Sequence, residues 1–195
     1  MKILIGVLIL FLAAPIDLHQ FGTHQEVKVE IEINAVPTQV WDVLTNFAAY
    51  TIWNPYVYPI SVKGNLEPGA AMELTLHFGG KVITYQPTIT VVRPNEELAW
   101  KGRAYITGVF DRQVQFTLEP LGADRTHLTS HEVFTGVLIP FYRSLVSDAE
   151  HGLTEMIEAL KDRVELLHPA GQSGVRHRPG MAGGRGGRLV LLLNP

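Results

Sequence analysis

Residues 72–91 read Met-Glu-Leu-Thr-Leu-His-Phe-Gly-Gly-Lys-Val-Ile-Thr-Tyr-Gln-Pro-Thr-Ile-Thr-Val, and this stretch decides the fold. Apolar and polar side chains alternate before Gly79-Gly80, as in a strand with one buried face. Two consecutive glycines between such runs are typical of a two-residue hairpin turn. The turn predicts three cross-strand pairs, each sharing a face: Phe78 with Lys81, Leu76 with Ile83, and Leu74 with Tyr85. Both strands therefore present their apolar side to the same core.

The remaining predicted strands lie before and after this hairpin in the sequence. Pro87 interrupts the second strand, and because proline has no N–H to donate, it predicts a bulge or bend there. Further strands are predicted at Val27–Ile33, Glu97–Arg103, Val109–Leu118 and Arg125–Phe134. With a helix beginning at Pro37 and another after the last strand, the order of elements indicates an α+β domain of six to seven strands.

The last helix has one apolar face and ends at Leu167. It begins either at Pro140 or at Ser147, where the spacing to Glu150 fits a capping box. Gly152 interrupts it at a cost of about 1 kcal/mol relative to alanine. A glycine at this position predicts the close approach of another group, or of a ligand.

The two ends differ in composition from residues 26–168, which we assign as the folded domain. Residues 1–25 contain an apolar run, Ile3–Ala14, behind a lysine, and this order predicts a membrane anchor or an export signal, with a soluble extension as the third alternative. Residues 169–195 are rich in glycine and arginine and predict a disordered tail. The protein would then be membrane-associated through residues 3–14 or exported, and a cytoplasmic location stays open.

The composition excludes several kinds of site. The chain of 195 residues contains no cysteine, which excludes disulfides and cysteine-ligated metals, and its formal net charge of −3 does not suggest nucleic-acid binding. No nucleophile, phosphate-loop or metal-ligand motif occurs. His127 and His131 lie four apart on a predicted strand facing solvent, too far apart for an ordinary single-metal site. We therefore predict no metal and no cofactor.

Five strings resemble one known family: Ile33-Asn-Ala-Val-Pro-Thr-Gln-Val-Trp41, Trp53-Asn-Pro-Tyr56, Leu98-Ala-Trp-Lys-Gly102, Phe116-Thr-Leu-Glu-Pro120 and Glu132-Val-Phe-Thr-Gly136. Together with the order of elements, they resemble the START-like (SRPBCC) superfamily, in its polyketide cyclase/dehydrase and lipid-transport branch. The resemblance covers roughly residues 26–167. It implies a helix-grip fold, in which a curved antiparallel sheet wraps around a long C-terminal helix and encloses an apolar cavity.

A buried ion pair is predicted on the strands that follow. If the connection from Glu119 to Asp124 closes a hairpin with Leu118 opposite Thr126, Arg112 lies opposite Glu132 on the concave face. Such a pair would be bidentate and partly desolvated. It either satisfies two buried charges, anchors the polar end of a ligand, or takes part in acid/base chemistry.

The predicted ligand-binding residues combine this pair with apolar and aromatic side chains: Trp53, Tyr56, Leu76, Tyr85, Trp100, Arg112, Glu132, Phe134 and Met156. The favoured function is the binding or transport of a hydrophobic small molecule such as a lipid, an isoprenoid or a polyketide-like compound. A cyclase or dehydratase with Glu132 or Tyr85 as the acid/base is the alternative, and a protein-interaction module of the same fold is a third. The lack of nucleophile and metal motifs favours binding over catalysis.

Overall fold

The computed structural model describes residues 24–104, 108–141 and 143–169. Eight strands and three α-helices occur in these ranges. In chain order they are β1 (His24–Ile33), α1 (Pro37–Thr45), α2 (Tyr50–Trp53), β2 (Val57–Val62), β3 (Met72–Phe78), β4 (Lys81–Tyr85), β5 (Thr88–Arg93), β6 (Glu97–Ala104), β7 (Phe110–Leu121), β8 (Arg125–Thr135) and α3 (Arg143–Leu167). Short 3₁₀ turns precede α2 and α3.

The strands form an antiparallel sheet that grips α3. Five strands are ordered β1-β8-β7-β6-β5, and three more are ordered β2-β3-β4. A bridge between Ala71 and Thr88 joins the two groups. The order of elements is that of a helix-grip fold. The strand number exceeds the predicted six to seven because the chain divides at Pro87 and because β2 was not predicted.

The hairpin at Gly79-Gly80 has the predicted register. Leu74 pairs with Tyr85, Leu76 with Ile83 and Phe78 with Lys81. Both glycines have positive φ, 54° and 73°, which explains why this turn takes glycine. Beyond it, the backbone bends at Pro87 as predicted, so β4 belongs to the three-stranded group and β5 to the five-stranded group. Within β5 the register shifts between Ile89 and Val91, so apolar and polar side chains no longer alternate there and Val92 packs against the core.

The register predicted for β7 and β8 is wrong by two residues. Leu118 lies opposite Leu128, not Thr126, so Arg112 lies opposite Phe134 and Glu132 lies opposite Val114. The cause is the turn, because β7 continues through Pro120 to Leu121 before it reverses. A shift of two residues keeps every side chain on its predicted face, and the even-numbered side chains of β7 and β8 still face the core.

The long helix α3 begins at Arg143, between the two predicted starts. Its buried face packs on the concave side of the sheet through Val146, Ala149, Gly152, Leu153, Met156, Ile157, Leu160 and Val164. At its C-terminal end, the Glu165 carboxylate accepts hydrogen bonds from the backbone and side-chain N–H groups of Asn34. The helix is thereby fixed to the loop that follows β1.

The predictions for the two termini fall outside the described residues, apart from the last residues of 1–25 and the first of 169–195. Strand β1 begins at His24, two residues before the predicted start of the domain. Among the described helices, none is both long enough and apolar enough to cross a bilayer.

Candidate functional site

A cavity of about 560 Å³ lies between the β3–β4 hairpin, the β7–β8 pair and the first two turns of α3. Most of its wall is apolar. The lining residues are Tyr56, Leu76, Ile83, Thr84, Tyr85, Gln86, Arg103, Phe110, Arg112, Phe134, Leu138, Leu145 and Ala149. A second, polar groove of about 350 Å³ shares Gln86, Arg103 and Arg112 with it, where β4 separates from β6.

Arg112 and Glu132 form a buried, bidentate ion pair at this cavity. Nε of Arg112 donates to Oε2 of Glu132 at 2.9 Å, and Nη2 donates to Oε1 at 2.5 Å. Arg112 is 7% exposed and Glu132 is 1% exposed. The predicted pairing of these two side chains is confirmed, although they lie diagonally across the strands and not directly opposite. The pair brings no net charge to the cavity.

Two tyrosines complete the shell around the Arg112 guanidinium. Nη1 donates to the Tyr85 hydroxyl and Nη2 donates to the Tyr56 hydroxyl, both at 3.2 Å. The guanidinium carbon also lies 5.7 Å from the ring centroids of Tyr85 and Phe134, and 6.0 Å from that of Tyr56. Aromatic faces at this range attract a cation, so the arginine is held by hydrogen bonds and by ring electrostatics.

Each of the two tyrosine rings occupies space that a glycine leaves open. A Cβ on Gly152 would lie 2.4 Å from the Tyr56 ring, and a Cβ on Gly102 would lie 2.6 Å from the Tyr85 ring. Real Cβ atoms do not approach other atoms this closely. The close approach predicted for Gly152 is confirmed, and the approaching group is Tyr56.

The environment keeps both tyrosines neutral and the arginine charged. Burial raises the pKa of Tyr56 and of Tyr85 above the usual tyrosine value, and the Arg112 charge only partly opposes this. Burial alone would lower the pKa of Arg112, but the adjacent Glu132 carboxylate reverses the effect and raises it. Tyr56 and Tyr85 are therefore hydrogen-bond donors and acceptors at neutral pH, not bases.

Trp100 and Met156 lie behind this cluster. Both line a small void of about 10 Å³ together with Tyr85, Arg112 and Glu132. The indole N–H of Trp100 is buried without a hydrogen-bond partner of full geometry. It is near enough to the Tyr85 hydroxyl to lower the pKa of that group slightly against the effect of burial. The indole N–H of Trp100 is thus a further polar hydrogen behind the Tyr85 hydroxyl.

The predicted site residues fall into three groups. The structure brings Tyr56, Leu76, Tyr85, Arg112 and Phe134 to the cavity wall. Trp100, Glu132 and Met156 stand behind that wall. Trp53 is not at the cavity, because its ring packs edge-on against Tyr50 at 4.7 Å within α2. The size and amphipathic character of its side chain suggested a place on the cavity wall, but its ring lies against Tyr50 instead.

Sequence reasoning missed several lining residues: Ile83, Thr84, Gln86, Arg103, Phe110, Leu138, Leu145 and Ala149. Ile83 was placed on the core face of the hairpin, and that facing was the available signal. Leu138, Leu145 and Ala149 depend on how α3 sits across the sheet, which periodicity alone does not determine.

The histidines of β8 do not form a metal site. His131 lies 3.0 Å from Glu26, and His127 lies 3.7 Å from Glu30, all on the solvent side of the sheet. Within residues 24–104, 108–141 and 143–169, no group of three or more ligating side chains could hold a metal ion.

Comparisons with known proteins agree with this fold. A family model described as polyketide cyclase / dehydrase and lipid transport matches residues 24–165. The Zhui aromatase/cyclase from Streptomyces sp. R1128 is 16% identical with a TM-score of 0.63, covering 76% of this chain and 98% of its own. A START superfamily protein from Mycobacterium smegmatis is 20% identical with a TM-score of 0.58, covering 73% and 98%.

A norcoclaurine synthase point mutant from Thalictrum has a TM-score of 0.60 at 14% identity, covering 74% of this chain and 96% of its own. Identities this low show a shared fold and nothing finer. A comparison with curated protein sequences finds no match.

Proposed function

Because this chain belongs to the polyketide cyclase / dehydrase and lipid transport family, we propose that it binds or transports a hydrophobic small molecule in the cavity beside Arg112. The observation that supports this most directly is one apolar cavity ending at one compact polar cluster. Ligand sites of small molecules have this composition, with a few placed polar groups in a mostly apolar wall. The volume of about 560 Å³ is within the usual range for such sites.

Burial of apolar surface supplies the driving force for binding in this proposal. Each methylene removed from water contributes about 0.8 kcal/mol. Leu76, Phe134, Leu138 and Leu145 offer the apolar contacts. The polar cluster at Arg112 would then orient one end of the ligand.

Catalysis is the second candidate, and the aromatase/cyclase among the similar structures is the reason to retain it. Two observations favour binding. Both Glu132 carboxylate oxygens accept from Arg112, so the carboxylate is a poor base in this arrangement. The raised pKa of Tyr85 likewise makes proton abstraction by its phenolate unfavourable at neutral pH.

Binding can be tested with the full-length protein and a neutral fluorophore, N-phenyl-1-naphthylamine, together with native mass spectrometry for co-purifying lipid. Saturable fluorescence enhancement is expected. Leu145→Trp, which fills the cavity from α3, should weaken the enhancement by about tenfold. Leu166→Trp on the exposed end of the same helix is the matched control and should leave it unchanged. Equal binding by both variants would place the fluorophore outside the cavity.

A further inference from the structure

We propose that the ligand of this cavity presents a neutral hydrogen-bond acceptor, such as a ketone or ester oxygen, to Arg112 and Tyr85, and that carboxylates are disfavoured. The inference rests on the proposed function and specifies the chemical class of its ligand. It follows from two features of the polar cluster: the count of donors against acceptors, and the balance of charge.

The donor count is read from the contacts of Arg112. Its guanidinium has five N–H groups. Two donate to Glu132, one to Tyr56 and one to Tyr85. The fifth, on Nη1, has no acceptor within the described part of the chain. It lies on the guanidinium nitrogen next to Tyr85, at the wall of the apolar cavity.

Tyr85 contributes a second donor at the same place. Its hydroxyl oxygen already accepts from Arg112. The hydroxyl proton must therefore point elsewhere, and among the described residues no group accepts it. The indole N–H of Trp100 lies behind it, close to the Tyr85 hydroxyl but without a hydrogen-bond partner of full geometry, and is a third buried donor.

All three groups are donors, and leaving buried donors unmatched costs free energy. Both oxygens of Glu132, the carboxylate in contact with Arg112, already accept from the guanidinium. An acceptor oxygen placed between Nη1 of Arg112 and the Tyr85 hydroxyl would satisfy two of the three donors at once. A group that can only donate would satisfy none of them.

Charge then separates neutral acceptors from anionic ones. Arg112 is neutralised by Glu132 at 2.5 Å, so a carboxylate placed beside Arg112 meets a dipole and not an unpaired cation. The carboxylate would lose its hydration on entering the apolar cavity, and the Glu132 charge would oppose it. A ketone or ester has no such desolvation penalty and accepts the same two hydrogen bonds.

The test compares matched competitors on the full-length protein. N-phenyl-1-naphthylamine reports occupancy, and 2-decanone and decanoate compete for the cavity at neutral pH. They share chain length and differ in the charge of the polar end. We expect 2-decanone to displace the fluorophore at a concentration about tenfold lower than decanoate.

Two variants assign the preference to this cluster. Tyr85→Phe removes one donor and should weaken the binding of 2-decanone by about two- to tenfold, because one hydrogen bond is lost. Each displacement constant is calculated from the affinity of that variant for the fluorophore, which is measured first. Tyr58→Phe is the matched control and should leave 2-decanone binding unchanged. The Tyr58 ring stacks on His77, with 4.0 Å between the ring centroids, and does not line the cavity. Glu132→Gln leaves the Arg112 charge unbalanced and should shift the preference toward decanoate by at least about tenfold.

The outcomes are distinguishable. If the fluorophore does not bind the wild-type protein in a saturable way, the proposed function fails and this inference fails with it. If the fluorophore binds but decanoate competes as well as 2-decanone, or Tyr85→Phe affects both equally, binding stands and the inference is overturned. Should Glu132→Gln not fold, the wild-type and Tyr85→Phe comparisons decide the matter alone.

Discussion

The aromatic ring of Tyr56 lies in the volume that any side chain on Gly152 would fill, with 2.4 Å between the ring and the position of a Cβ. The two residues come from different elements, one from the turn after α2 and the other from α3. Their contact sets how closely the helix approaches the sheet next to Arg112. A helix-breaking residue in α3 is thus explained by packing.

Gly152→Ala is expected to destabilise the protein even though alanine favours helix by about 1 kcal/mol. The added methyl forces the Tyr56 ring to move, and overpacking of this kind costs about 1–3 kcal/mol. Chemical denaturation measures the difference. Combining Gly152→Ala with Tyr56→Leu should cost less than the sum of the two single changes. Simple additivity would contradict the contact.

The Arg112–Glu132 pair should be costly to break and inexpensive to replace. Glu132→Leu alone strands a buried guanidinium and is expected to cost about 3–5 kcal/mol. Arg112→Met combined with Glu132→Leu removes both charges and should restore most of that loss. A double-mutant cycle by urea denaturation measures the coupling. If the double variant is as unstable as the single one, the pair matters through contacts other than its charges.

Gly102→Ala tests the other tyrosine through ligand binding. The new methyl would lie 2.6 Å from the Tyr85 ring and 3.3 Å from Pro87. We expect Tyr85 to be displaced from Arg112, and 2-decanone to bind about two- to tenfold more weakly for want of one hydrogen bond. Competition against N-phenyl-1-naphthylamine measures this. Unchanged affinity would mean that Tyr85 does not contribute a hydrogen bond to the ligand.

Stability should fall in alkaline solution because of buried tyrosines. Burial raises the pKa of Tyr50, Tyr56 and Tyr85 in the folded state above the ordinary value of 10.0. Their neutral forms are therefore favoured by folding. The contribution is complete below about pH 10 and is lost as the pH rises above it, since only the unfolded chain then releases these protons.

The expected slope is up to about 1.4 kcal/mol per pH unit for each such tyrosine. Urea denaturation across this range measures it, and absorbance of the phenolate follows ionisation. Tyr50→Phe should reduce the slope by about one third, although it also removes the hydrogen bond from its hydroxyl to the Leu44 carbonyl. A slope that is the same in both proteins would contradict the assignment.

The hairpin could be predicted to the residue because two glycines fix both its length and its backbone conformation. The β7–β8 register could not, because the turn there contains Pro120, which looked like the end of a strand but lies within one. The predicted contact between Arg112 and Glu132 is still present, because the register differs from the prediction by an even number of residues. Parity along a strand, which decides the facing of Arg112, is a more robust property of sequence than pairing.

The sequence predicted the bend at Pro87 but not the division of the strands into two groups there. A proline predicts a bend, but whether the strand continues in the same sheet depends on what it meets afterwards. Here the Tyr85 ring lies on Gly102 of β6, and the chain passes from the three-stranded group at β4 to the five-stranded group at β5. Trp53 was assigned from its residue type, and residue type does not determine whether an aromatic ring packs within its own element or lines the cavity.

This division also makes the two walls of the cavity mechanically unequal. Arg112 and Phe134 lie on β7 and β8, each hydrogen-bonded to strands on both sides, whereas β4 is an edge strand that pairs with β3 alone. A bulkier guest would deflect the compliant edge and leave the stiff wall in place. Tyr85 lies at the root of β4, where such a deflection is smallest. We therefore expect tolerance for the size of a guest and discrimination of its polar group to depend on different parts of the same cavity.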